Sequence, residues 1–270
     1  MGLGQDVAQL QSLRVGRLTI LSNHPVLDQV ARDIAAGVDP LALPDRDIRL
    51  FVGSHRKFHT ALFGPGLRIG LQTEHFFDDA GAAMWRRQRR WRTLQQVLRF
   101  HVVLDLSPAN RPLYTWLPAA LQRRVVFGAH IFPSHPVAAQ PGQHPWFVFY
   151  GEVNARRASV LASLTPGTCA VLPKGTYGPG LDAAIKASAG VANVHFNDGT
   201  YTEYPRLLSA YLAGKPFVSE TLGAGLVAGQ DYGCLGTPIG PQDADRIFAT
   251  FRDGFAARHR LTDLLRKLAR

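Results

Sequence analysis

Two stretches of the chain carry side chains suited to chemistry. One is KASAGVANVHFNDGTYTEYPRLLSAYLAGKPFVSE, residues 186–220. Its pattern predicts a strand over 191–195, a loop, a helix over 202–213 and a strand over 216–220. His195 then falls at a strand end, Glu203 in a first helical turn, Arg206 just after it, and Glu220 at the next strand end. A carboxylate in a first turn is favoured by the helix dipole, and Thr200 or Thr202 is the expected hydroxyl cap. In open α/β sheets such strand ends and helix starts converge on one crevice, where ligands bind.

The other stretch is FYGEVNARR, residues 149–157. Gly151 follows a buried strand, Asn154 opens a helix, and Arg156 and Arg157 lie near its start. A tight turn, helix N-terminal amides and guanidinium groups together suit a diphosphate. The plain alternative is a surface helix with two exposed arginines. Glu74, in Gln72-Thr73-Glu74-His75 at a strand end, is the candidate proton acceptor, with His75, Asp78 and His55 as competitors. Polar residues are common at strand ends without any such role.

These side chains need a scaffold, and the apolar pattern supplies one. Strands are expected at 17–22, 48–52, 67–71, 102–106 and 124–127, with helices over 26–36, 80–99 and 112–121. Residues 1–13 read as a polar, partly helical lead-in. Residues 133–145, PSHPVAAQPGQHP, hold four prolines and form the best linker. The alternation then restarts, with strands at 146–150 and 168–172 and helices over 154–164 and 179–188. Strands alternating with helices indicate parallel βαβ construction. The expected domains are 1–138, 145–240 and a helical tail, 241–270.

Several pieces together resemble a bacterial GT-B glycosyltransferase. They are VANVHF…EYPRLLSAYLAGKPFVSE, FYGEVNARR, LQTEHF (71–76), DLSPANRP (105–112) and FGAHIFPS (127–134). The resemblance implies an α/β, GT-B-like fold, two Rossmann-like parallel-sheet domains facing a cleft. The first would hold a glycan or lipid-linked acceptor, the second a nucleotide sugar, and the tail would pack back on the first. No metal or cofactor would be needed, the donor being a substrate. A basic residue near Arg156 and Arg157 would face the diphosphate. Tyr177, in PKGTYGPGLD, would stack on the base, or else belong to an ordinary Gly-Pro turn.

Aligned on the Gly214-x-Pro216 helix end, the Glu-x7-Glu pattern of many retaining members falls on Tyr201 and Ser209, so it is absent as written. Glu203 is displaced by two residues, with a role in holding sugar hydroxyls; Glu220 would accept from ribose hydroxyls, and His195 would bind phosphate or sugar. In an inverting enzyme Glu74 would take the acceptor proton; in a retaining one it would orient the acceptor. A non-catalytic GT-B-like glycan- or partner-binding protein is the alternative.

The 270 residues carry a net charge of +10. Residues 1–140 hold 17 Lys and Arg against 10 Asp and Glu, so most of the excess lies in the first half. An anionic partner follows. Residues 85–92, WRRQRRWR, combine five arginines with two tryptophans and no acid. That composition suits peripheral contact with an anionic membrane, weighed against a solvated helix. Nucleic acid is not expected, for lack of any recognition motif. No apolar run is long enough to span a bilayer, and the N-terminus lacks a basic leader region. Cys169 and Cys234 read as small buried hydrophobes, with no metal spacing and no disulfide framework. The expected place is the cytoplasm, at most peripheral to the inner face of the membrane.

Overall fold

The computed structural model describes residues 10–56, 58, 63–84 and 90–270. Two sheets, both dominated by parallel pairing, organise it as a mixed α/β chain in a Rossmann-like arrangement.

The first sheet has six strands in sequential order: β1 (Gln11–Val15), β2 (Leu18–Ser22), β3 (Ile48–Val52), β4 (Leu67–Gln72), β5 (Val102–Asp105) and β6 (Val125–Phe127). β2 to β6 run parallel, and β1 is an antiparallel edge formed by a turn at Gly16. The lead-in therefore contains a strand where partial helix was expected. Its alternating half-exposed residues are a weak strand signal, resolved only by pairing with β2. Inward residues alternate along each strand. Leu18, Ile20, Leu50, Ile69, Leu71 and Leu104 line one face, and Leu21, Phe51 and Val103 the other. Helix α1 (Pro25–Gly37) buries Leu27, Val30 and Ile34 on the first face. Helix α2 (Arg90–Arg99) and the segment 107–122 cover the second.

Two helical expectations are corrected here. Residues 80–84, expected as the start of the 80–99 helix, are not helical: they belong to a hairpin-like turn over 76–84 with a Phe77–Ala83 bridge, in which the Asp78 carboxylate accepts from the Ala82 amide at 2.7 Å. A side chain competing for local amides in this way favours a turn over a helix. Residues 85–89 lie outside the described residues. The helix expected over 112–121 becomes a 3-10 turn, Pro108–Leu113, and a short α3 (Ala119–Gln122), separated at Pro118.

The second sheet has five parallel strands in the order β11-β10-β9-β7-β8. They are β7 (Phe147–Phe149), β8 (Cys169–Val171), β9 (Gly190–Asn193), β10 (Phe217–Ser219) and β11 (Gly233–Cys234), the last not foreseen. The chain leaves β7 through α4 (Ala155–Ala162), returns through α5 (Pro179–Ala187), and passes on through α6 (Tyr204–Leu212). Because β8 and β9 flank β7 on opposite sides, strand order reverses there, making a topological switch point. Cys234 is exposed and Cys169 partly so, because both lie on short strands near the rim rather than in the core.

The two halves share one apolar core, in which α1 packs against α6. Ser209 on α6 donates to Asp33 on α1 at 2.5 Å, and the Gly178 amide donates to Gln29 at 2.7 Å. The tail runs through α7 (Pro241–Phe251), a π-helical turn (Arg252–Ala256) and α8 (Leu261–Ala269). Phe251 and Phe255 pack edge-on against Phe132, and Phe132 exchanges backbone hydrogen bonds with His259 and Leu261. The tail thus closes on the end of the first half. No described helix is long and apolar enough to cross a membrane.

Candidate functional site

The switch point between β7 and β9 holds a dense group of charged side chains. Gly151 turns the chain after β7 with φ of +113°, a region that favours glycine. A Cβ there would stand 3.2 Å from Arg206 Nη2 and 3.8 Å from Arg157 Nη1. Asn154 caps α4 by accepting from the Arg157 amide at 2.9 Å, and donates to the Phe196 carbonyl at 2.7 Å. It ties the start of α4 to the loop leaving β9.

Arg157 is 4% exposed and fully engaged. It donates to the carbonyls of Val194 and Glu152 at 2.8 and 2.9 Å, and to Glu203 at 2.7 Å. Burial pushes its pKa down despite the carboxylate beside it. Arg156 is engaged as well. It pairs with Glu220 at 2.7 and 3.0 Å, with Asp198 at 2.5 Å, and with the His195 carbonyl at 2.8 Å. The Glu220 partner raises its pKa. Burial alone would raise Glu220 too, but Arg156 and the His195 amide more than offset this and hold the carboxyl below its usual value.

Arg206 differs from both. Its Nη2 pairs with Glu203 at 3.0 Å, while Nε and Nη1 are buried without a hydrogen-bond partner. The group is 7% exposed and lies over the Phe149 and Tyr150 rings at 5.0 Å. Unsatisfied buried donors on a cation are costly, and an anion would satisfy them. Glu203 therefore bridges two buried arginines. It is the N-cap residue of α6 but makes no side-chain capping bond. Nor do the threonines cap: Thr202 instead accepts from the Gly223 amide at 2.9 Å, tying α6 to the loop after β10.

His195, buried, donates from Nδ1 to the Gly199 carbonyl at 3.0 Å. The carbonyl can only accept, so Nδ1 carries the proton and Nε2 presents a lone pair. That Nε2 is buried without a partner. Its ring stacks on Tyr201 at 4.2 Å.

The first half faces this cluster with the loop after β4. Glu74 has 45% of its side chain open. Burial by the surrounding walls pushes its carboxyl up; Arg56 pulls it back, and the Glu203 carboxylate pushes it further. The Glu74 amide donates to Gln72 Oε1 at 3.1 Å, which fixes that amide's orientation. His55 must then donate from Nδ1 to the same oxygen at 3.0 Å, leaving a bare Nε2 facing Glu74 at 3.8 Å. Burial holds the His55 pKa down to about 4, so this contact is not an ion pair. His75 packs against Tyr201 and Tyr204 at 5.3 and 6.4 Å, and neither ring nitrogen has a partner of hydrogen-bond geometry. Burial lowers its pKa to about 4.

The structure thus brings Glu74, His195, Glu203, Arg206, Gly151, Asn154, Arg156, Arg157 and Glu220 to one place, with His55 and His75 beside them. Tyr177 is half-buried in the loop after edge strand β8. Two residues that the sequence reading left unused hold the Glu74 loop. Asn110 Nδ2 donates to the Glu74 carbonyl at 2.8 Å, and its Oδ1 accepts from the Phe76 amide at 2.8 Å. Asp105 fixes Asn110 through both carboxylate oxygens, at 3.0 and 3.2 Å. The spacing of Asp and Asn across a proline turn in DLSPANRP was the available signal.

A pH prediction follows from His75. Its folded pKa of about 4 lies below the usual 6.5. Its neutral burial therefore stabilises the fold fully above pH 6.5, and that contribution is lost as pH falls toward 4. The loss reaches about 3 kcal/mol. The stability difference between His75→Phe and wild type, followed by urea unfolding from pH 7 to 4.5, should shift in favour of the variant as pH falls. A difference that stays constant would show that His75 titrates normally.

Compared with known proteins, the chain matches no protein-family model and no curated sequence.

Proposed function

We propose that this chain is a GT-B glycosyltransferase, moving a sugar from a nucleotide-sugar donor to a glycan or lipid-linked acceptor in the cleft between its two sheets. The observation that carries this reading is Arg206. A buried guanidinium with two unsatisfied donors stands beneath a positive-φ glycine at a topological switch point. A diphosphate at Gly151 would lie nearest Arg206 Nη2, and the fixed charge of the guanidinium would stabilise the leaving group as negative charge develops. The role expected of Arg156 and Arg157 passes in this geometry to Arg206, since both neighbours spend their donors on carboxylates and carbonyls. Glu203 holds Arg206 in place and faces the sugar. Glu74, across the cleft with a raised pKa, takes the acceptor proton in an inverting reaction or orients the acceptor in a retaining one.

The self-pairing of Arg156 with Glu220 and of Arg157 with Glu203 favours a second reading, a non-catalytic GT-B-like protein that binds a glycan or partner. Turnover separates the two.

The experiment is a thermal-shift series with nucleoside diphosphates and nucleotide sugars on wild type and Arg206→Met. A ligand at 100 times its dissociation constant adds about 2.7 kcal/mol, roughly 5–10 °C for a chain of this size. The shift is expected with one nucleobase and lost in Arg206→Met. No shift from any nucleotide on a well-folded sample would end the donor-site reading. A shift without release of nucleoside diphosphate to any acceptor would favour the binding protein.

A further inference from the structure

The turn over 76–84 belongs to the first half, yet its tip is fitted to the second. It is a stiff hairpin. The Asp78 amide donates to the Ala82 carbonyl and the Met84 amide to the Phe76 carbonyl, both at 3.0 Å, and Gly81 turns the tip with φ of +81°. Its base is pinned at the Phe76 amide by Asn110. From this base Asp78 and Asp79 reach two loops of the second half, those that leave β9 and β10. Such loops stand at the carboxyl ends of parallel strands, where ligands bind.

On the loop after β9, the Asp79 amide donates to the Thr200 carbonyl at 2.9 Å, and Asn197 Nδ2 donates to the Met84 carbonyl at 3.2 Å. On the loop after β10, the Ala224 amide donates to the Asp79 carboxylate. Each loop has a glycine where the turn enters. A Cβ on Gly199 would stand 2.8 Å from Asp78 Oδ2, and one on Gly223 3.0 Å from Asp79 Oδ2. The fit is therefore one of shape as well as hydrogen bonds: two notches in one half receive two successive aspartates of the other.

The seam beside this contact is poorly satisfied. Gln72 Nε2, Thr73 Oγ1 and both ring nitrogens of His75 on the first half are buried without a partner, as are His195 Nε2 and Arg206 Nε and Nη1 on the second. Each such group costs about 1–3 kcal/mol, and opening the seam to water relieves them together. A closed seam of this kind needs a holder outside it.

We propose that the 76–84 turn is an autoinhibitory clasp: with Asp78 and Asp79 seated in the Gly199 and Gly223 notches, it holds the cleft shut in the free chain, and its release admits the ligand. The clasp governs access alone, so it stands whether or not that ligand is a nucleotide.

Labelling of the ligand-free chain with diethylpyrocarbonate, read peptide by peptide in a mass spectrometer, tests it. The reagent acylates a neutral imidazole nitrogen that solvent can reach. His75 and His195, 7% and 1% exposed, report on the seam. His130 and His259, half-buried where the tail closes on the first half, are the control. Asp79→Ala removes the acceptor of the Ala224 amide and should speed labelling of His75 and His195 about ten-fold, the worth of one hydrogen bond, with His130 and His259 unchanged. Asp79→Asn, whose amide oxygen still accepts from Ala224, should label nearly as slowly as wild type. Asp79 is exposed, and a circular dichroism spectrum like that of wild type verifies folding. Labelling of His75 and His195 at the wild-type rate in Asp79→Ala overturns the proposal. So does a rise shared equally by His130 and His259, which would mark a general loosening of the fold. Faster labelling confined to the seam, in a chain that binds no nucleoside diphosphate with or without the substitution, supports the clasp and removes only the donor site.

Discussion

Replacing Glu203 by alanine is expected to lower the stability of the chain by about 3–5 kcal/mol. Glu203 is shared by two buried arginines, at 2.7 Å from Arg157 and 3.0 Å from Arg206. Arg157 and Arg206 are 4% and 7% exposed, so neither can turn to water when the carboxylate goes. Removing one member of a buried ionic group leaves the others desolvated and unpaired. That penalty exceeds what the pairing gains relative to an apolar core. The melting temperature should fall on the order of 10 °C.

Two further variants separate charge from shape. Glu203→Gln keeps the volume and one acceptor and should still lose much of the stability, because the two cations remain uncompensated. Arg157→Met, Glu203→Leu and Arg206→Met together remove all three charges and should recover most of the loss, as apolar replacement of a whole buried ionic group commonly does. Urea midpoints compared across the set check this. A cost below about 1 kcal/mol for Glu203→Ala would place the interaction with exposed ion pairs and would remove the basis for treating Arg206 as a preorganised cation.

The scaffold was legible in the sequence where burial is strong. β9 and β10 are short runs of apolar residues bounded by turn residues, and α6 has one apolar face, so the strand-loop-helix-strand order of 190–219 could be read from pattern alone. That placed His195, Glu203 and Glu220 correctly at the ends of elements. The pairing of these side chains was not legible. Arg156 meets Glu220 and Asp198 across 64 and 42 positions, distances in sequence that no local pattern encodes. The same holds for Arg206: that two of its donors are buried without a partner depends on its packing over the Phe149 and Tyr150 rings beside Glu203. Residues 80–84, the start of the helix expected over 80–99, failed as a helix for a local reason, the Asp78 carboxylate capturing the Ala82 amide. Thr202 failed as a cap for a tertiary one, its hydroxyl being taken by the Gly223 amide of a later loop.

Asp105 is the site of the second large effect. It is fully buried and accepts from the Ser107 amide at 2.9 Å, from Asn110 at 3.0 Å and from the Tyr114 hydroxyl at 2.8 Å. Asp105→Ala orphans three buried donors at about 1–3 kcal/mol each, with an expected loss of roughly 3–5 kcal/mol once partial relaxation is allowed for. The consequence reaches the Glu74 loop, because Asn110, held by Asp105, in turn holds the Glu74 carbonyl and the Phe76 amide. Amide exchange at Phe76 should therefore quicken in Asp105→Ala and in Asn110→Ala. Under the proposed function, nucleotide binding in the second half should persist in both, while sugar transfer that depends on a positioned Glu74 should fall. Asp105→Asn adds a test by pH. Burial raises the Asp105 pKa to about 7, so the folded state binds a proton that the unfolded state, near 4, has already lost. Stability from this group is present below pH 4 and falls as pH rises to 7, by up to about 4 kcal/mol. An asparagine has no such proton, so the stability deficit of Asp105→Asn relative to wild type should shrink across that window. A deficit independent of pH would mean that Asp105 is ionised in the fold throughout. Unchanged Phe76 protection in Asn110→Ala would mean that the loop carrying Glu74 is held by something other than this clamp.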